Sequence, residues 1–90
     1  MTRVLSVGRH AALAAAVGGG AFTGPRPQEA VVEAIEELDV PFPPRVDVPA
    51  TEDVVVDTDA WGLPDPAGLC LEDVRELRSV IEQRVSTLPL

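Results

Sequence analysis

The most regular pattern in the sequence lies in residues 70–88. Apolar side chains recur there at spacings of three and four residues: Cys70, Val74, Leu77, Ile81, Val85 and Leu88. At about 100° per residue they form a stripe roughly 80° wide, which is narrow for a helix that packs on a globular core. Acids in the first turn and an arginine in the last agree with the helix dipole. The pattern predicts an amphipathic helix whose apolar face needs a partner.

A second helix is predicted near residues 27–39. Pro25 and Pro27 suit a first helical turn and no later position. The apolar face would consist of Val31, Ala34, Ile35 and Leu38. Glu33 and Glu37 are a like-charge pair four residues apart, which destabilises an isolated helix. This helix therefore needs packing along its apolar face.

The middle of the chain is rich in proline. Four prolines between residues 40 and 50 exclude a helix and allow at most an edge strand. Phe42 stands between two of them and is a candidate anchor for a partner, the alternative being a plug over the chain's own core. The valine run at residues 54–56 is typical of a strand. Its mate is predicted in residues 45–48, in the N-terminal segment or in another chain.

Residues 1–24 differ in composition from the rest. They are basic and rich in Ala and Gly, and the break at residues 24–27 indicates a boundary. We predict a basic arm or targeting-like segment here and a small acidic domain in residues 25–90. The apolar run at residues 11–22 is too short to span a bilayer. The alternatives are a short helix near residues 10–17 and a strand over residues 2–7.

The charge is unevenly distributed along the chain. The net charge is −8, and all fifteen acids lie at or after Glu29. Residues 1–28 carry +3, whereas residues 29–90 carry four arginines and a net charge of −11. An acidic body repels phosphate backbones, so we predict no nucleic-acid partner.

Side chains that would carry chemistry are sparse. His10 and Cys70 are the only residues of their types and lie in different segments, whereas a structural zinc site needs about four ligands. No phosphate-binding loop or nucleophile motif is present. We therefore predict no catalytic residue, no metal and no cofactor, and a protein that is not an enzyme.

These patterns together predict a mainly α fold with one or two short strands and extended Pro-rich segments, a small α+β unit that partly depends on a partner for order. The predicted function is a non-enzymatic structural or adaptor subunit of a larger assembly, such as a virus particle or bacterial complex. Its partner would be another protein or a second copy. The partner-binding residues would be Val74, Leu77, Ile81, Val85, Leu88 and Phe42.

Two alternatives stay open. One is a small exported or envelope protein with an N-terminal signal or anchor, in which membrane contact involves only residues 1–24. The other is an antitoxin-like acidic regulator that occupies a basic partner's site. A virion or cytoplasmic location is favoured over an exported one.

Overall fold

The computed structural model describes residues 3–47 and 53–88. In chain order the elements are strand β1 (Arg3–Val7), helix α1 (Ala11–Gly18), strand β2 (Ala21–Thr23), helix α2 (Glu29–Glu36), strand β3 (Asp53–Asp57), a short 3₁₀ turn (Thr58–Trp61) and helix α3 (Leu71–Ser86). The three strands form one parallel sheet in the order β2-β1-β3.

The sheet is held together by pairing between strands that are distant in the sequence. Ser6 of β1 lies between Phe22 of β2 and Val56 of β3, and all three side chains are buried. On the outer side of β2, the Phe22 N–H donates to the carbonyl of Pro44 (3.0 Å), and the Val46 N–H donates to the carbonyl of Phe22 (2.9 Å). The proline-rich segment thus borders the sheet through a proline carbonyl, which needs no N–H.

Helix α1 is the centre of the fold. It contacts β1 and β2 as well as α2 and α3, and five consecutive residues, from Ala11 to Ala15, are buried. The small side chains of α1 allow these neighbouring elements to pack close to its backbone. A Cβ placed on Gly18 would lie only 2.6 Å from Cγ1 of Val85, so the carboxyl ends of α1 and α3 meet without space for a side chain.

The apolar stripe of α3 closes this core. Val74 and Ile81 are fully buried and Leu77 is 7% exposed. Val74 and Ile81 belong to one cluster with α1, Phe22 and the apolar face of α2. The centre of the stripe therefore finds its cover within the same chain, whereas Cys70 at its start is exposed. The radius of gyration of 12.0 Å equals the value of about 12 Å expected for a compact chain of this length.

The prediction of a mainly α fold with one or two short strands, partly dependent on a partner for order, was wrong. The structure is a small, compact fold of three helices and a three-stranded parallel sheet. Two of the strands and the central helix lie in the segment predicted to be an arm, since Arg3–Val7, Ala11–Gly18 and Ala21–Thr23 are all packed elements. A helix that is covered on all sides has no polar face, so amphipathic periodicity does not reveal it.

Among the described residues, no helix combines the length and apolar character required to cross a bilayer.

Candidate functional site: a cleft at the carboxyl ends of the strands

A cleft lies where the loops that follow β1 and β2 meet the segment that precedes α3. In parallel sheets, the crevice beyond the carboxyl ends of the strands is the usual place for a ligand. Its volume is about 230 Å³. The lining residues are Arg9, His10, Ala12, Leu13, Pro25, Arg26, Pro27, Gln28, Val31, Asp65, Pro66 and Ala67.

The loop between β1 and α1 is held by the residues that follow β3. The hydroxyl of Thr58 donates to the carbonyl of Val7 (2.6 Å) and accepts from the backbone N–H of His10 (3.3 Å). The backbone N–H of Arg9 donates to Oδ1 of Asp59 (3.1 Å). Gly8 has a φ of +100°, and a Cβ there would lie 2.6 Å from the Thr58 hydroxyl. Hydrogen bonds therefore attach this wall of the cleft to the residues that follow β3.

Two helices begin at this cleft. His10 and Gln28 are the N-cap residues of α1 and α2, and neither side chain caps its helix. In α1, the Ala14 N–H donates to the His10 carbonyl, whereas no acceptor is described for the N–H groups of Ala12 and Leu13. Free N–H groups and the positive end of the helix dipole favour an anion at such a position.

Two arginines add full charges to the cleft. Arg9 forms an ion pair with Asp65 (3.3 Å), in which both side chains are about half exposed. Arg26 is exposed, and no ion pair of Arg26 is present in the part of the chain that the structure describes. Among the lining residues, one carboxylate thus faces two guanidinium groups.

His10 forms part of the wall and is 4% exposed. Burial lowers the pKa of its imidazole below the usual 6.5, against the opposing effects of the carbonyls of Pro64 and Leu63 and of the nearby Asp59 and Asp65 carboxylates. Burial thus favours the neutral form of the ring. Its Nε2 has no hydrogen-bond partner among the described atoms, so this part of the wall contributes an unpaired polar atom.

The polar side chains of the lining are those of Arg9, His10, Arg26, Gln28 and Asp65. None of the lining residues is a serine, threonine, cysteine, lysine or tyrosine. The described ranges also hold no group of three or more His, Cys, Asp or Glu side chains placed for a metal ion. What the arrangement can do is surround a small anion with helix N-termini and guanidinium groups.

The structure does not bring the predicted partner-binding residues together on one surface. Val74, Leu77 and Ile81 lie in the core, and Val85 and Leu88 are half-buried. Phe42 is 46% exposed and packs edge-to-face on Phe22, with ring centroids 6.3 Å apart.

The cleft residues Arg9, Arg26 and Gln28 were missed by sequence reasoning. A signal existed for Arg9, because a strand over residues 2–7 followed by a helix from residue 10 would place Gly8 and Arg9 in a strand-to-helix turn.

Comparison with protein-family models, with curated proteins and with solved structures finds no match to this chain. The geometry of the cleft is therefore what supports a function.

Proposed function

We propose that this chain is a non-enzymatic binding protein that holds a small anion, of the phosphate or carboxylate class, in the cleft at the carboxyl ends of its strands. One observation carries the proposal: the N-termini of α1 and α2 share a cleft with Arg9 and Arg26. Backbone N–H groups and a guanidinium fork are the two devices that proteins most often use for such anions.

The size of the cleft favours a small ligand. At about 230 Å³ it is smaller than the pockets of roughly 300–1,000 Å³ that hold drug-sized molecules. Inorganic phosphate, a phosphate monoester headgroup or a short carboxylic acid fits this volume. Apolar groups of Leu13 and Val31 line the same cleft, and they would contact the carbon skeleton of an organic anion.

Asp65 acts as an internal competitor for the ligand. Its carboxylate already pairs with Arg9, so an incoming anion must displace it or share the guanidinium. Since like charges repel, Asp65 lowers the affinity for every anion and most strongly for a dianion. Replacing Asp65 by Asn removes this repulsion and is expected to tighten binding.

The test is calorimetric titration of the full chain with inorganic phosphate and, separately, with acetate at low ionic strength. Arg26→Gln is expected to weaken binding by about tenfold, because a charge-assisted contact is lost. Arg84→Gln is the matched control, since it removes the same charge from the carboxyl end of α3, beside the distant end of α1. Its affinity is expected to stay within about twofold of the parent.

Three outcomes would contradict the proposal. One is no saturable binding at millimolar anion. Another is an equal loss in Arg26→Gln and Arg84→Gln, which would indicate a general charge effect. The third is weaker binding in Asp65→Asn, which would mean that Asp65 is a ligand-contacting group and not a competitor.

The assembly-subunit hypothesis remains a second candidate, with a different docking site. The stripe of α3 is buried, but Val40 and Phe42 are 41% and 46% exposed and flank Pro41. A stiff segment that presents two apolar side chains suits docking on another protein or a second copy. Sedimentation at rising concentration, with Phe42→Ser as the variant, tests self-association, and a monomer at all concentrations would exclude the second copy.

A further inference from the structure

Among the described strands, β3 lies at an edge of the sheet. It pairs with β1 over five residue pairs, from Arg3–Asp53 to Val7–Asp57, and within residues 3–47 and 53–88 no second strand pairs with it. Val54 is 38% exposed and Val55 is 53% exposed. Because neighbouring residues of a strand point to opposite faces, both faces are accessible at this edge.

Such an edge is unusual for a parallel sheet. Parallel strands are normally covered on both faces, and a run of β-branched residues with unpaired backbone groups is a template for another strand. We propose that the outer edge of β3 binds an extended segment of a partner protein as an added strand, and that this segment carries cationic residues on either side of an apolar centre.

The charges around the strand determine the choice of partner. β3 begins with Asp53 and ends with Asp57, and the exposed Asp59 follows shortly after. A second copy that paired antiparallel around Val55 would place Asp53 opposite Asp57 of the other copy, twice. Directly opposed like charges destabilise a strand pair, so the edge disfavours self-pairing and favours a strand with lysine or arginine at both ends.

None of the described residues of the anion cleft belongs to β3. The strand-binding proposal therefore stands independently of the anion proposal, and either can fail while the other holds.

The test uses two capped synthetic peptides, Lys-Val-Thr-Val-Lys and its charge-reversed counterpart Glu-Val-Thr-Val-Glu, titrated into the full chain and followed by amide NMR. The lysine peptide is expected to shift and protect the amides of β3, and to bind about tenfold or more tightly than the glutamate peptide. Equal binding of both peptides, or shifts that are confined to other elements, would overturn the proposal.

Two matched variants locate the site. Val55→Lys places a positive charge on β3 that repels the lysine peptide, and it is expected to weaken binding of that peptide by about tenfold. Val80→Lys introduces the same change at a comparably exposed valine of α3 (37% exposed) and is expected to alter binding by less than about twofold. Equal losses, or a homodimer of the parent chain that Val55→Lys dissociates, would refute the proposal. Circular dichroism establishes that each variant is folded, and the two-peptide comparison tests the proposal on the parent chain alone.

Discussion

Helices α1 and α3 reach the same core by opposite means. α1 spans Ala11–Gly18, carries no charge, and is buried over five consecutive residues. α3 spans Leu71–Ser86, is mostly charged or polar, and buries only Val74, Leu77 and Ile81. The comparison teaches that amphipathic periodicity detects a helix at the surface of a protein, whereas a helix enclosed on all sides leaves no such signal.

The small residues of α1 also account for the narrow apolar stripe of α3. The main neighbour of α3 is α1, which consists largely of alanine, so a narrow stripe of larger side chains suffices to cover it. Gly18 lets Val85 approach the end of α1 closely. A narrow stripe therefore need not indicate a missing partner when the neighbouring helix is built from small residues.

The largest expected effect comes from removing the N-terminal segment. The arm interpretation expects that deletion of residues 1–24 leaves the helical signal intact. The structure leads us to expect the opposite, because the deletion removes β1, α1 and β2, and with them the contacts that cover the stripe of α3. Circular dichroism and thermal unfolding of the truncated chain decide between these two expectations. A retained helical signal with a cooperative transition would support the arm interpretation.

Next in size are truncations of single core side chains in the two helices. Leu13→Ala in α1 and Ile81→Ala in α3 are each expected to lower the free energy of unfolding by about 2–5 kcal/mol, since both residues are buried. Urea titration measures the loss. A small effect of Leu13→Ala beside a large effect of Ile81→Ala would mean that α1 is less central than its burial indicates.

The two helices should differ more clearly in how well they tolerate a larger side chain. Ala15→Leu in α1 overfills a site that is 1% exposed and is expected to cost about 1–3 kcal/mol of unfolding free energy. Ser79→Leu is the control on the solvent side of α3 and is expected to stay within about 0.5 kcal/mol of the parent. Similar costs at both sites in urea unfolding would contradict the enclosure of α1.

A smaller effect is expected at the polar contact between α2 and α3. Arg78 donates to the carbonyl of Ala34 (2.7 Å) and to Glu37 (2.8 Å). Its sequence position predicts a solvent-facing residue, but these contacts indicate a cost of about 1 kcal/mol for Arg78→Ala. Glu82→Ala, on the exposed side of α3, is the control and is expected within about 0.5 kcal/mol, measured by urea unfolding.

The smallest expected effect is a pH dependence from the same contact. Hydrogen bonds from Arg75 and, to a smaller extent, from Arg78 lower the pKa of Glu37 from 4.5 to about 2. The Glu37 carboxylate therefore binds a proton more tightly in the unfolded state than in the folded state. Its stabilisation of the folded state is fully present above pH 4.5 and is lost as the pH falls toward 2. The urea midpoints of the parent and Glu37→Gln are expected to converge over this interval, whereas a constant difference would show that the ion pair does not titrate.

Local patterns in the sequence reveal about half of this molecule. The three- and four-residue spacing of residues 70–88 reveals α3, the prolines at 25 and 27 precede α2, and the valine run at 54–56 marks β3. Each of these signals is local, because it arises from which face of one element meets water. The candidate cleft was only indirectly visible, through the turn at Gly8 and Arg9.

The tertiary structure alone decided which strands pair, what encloses α1 and where the cleft forms. β1 pairs with residues about fifty positions away in the chain, and Thr58 holds the loop after β1 across a similar separation. An alanine-rich run is compatible with an arm, a leader or a core helix, since its side chains carry no preference for one neighbour over another. Only the sheet beneath it and the stripe of α3 above it make residues 11–15 the centre of the fold, because burial depends on what the rest of the chain places around them.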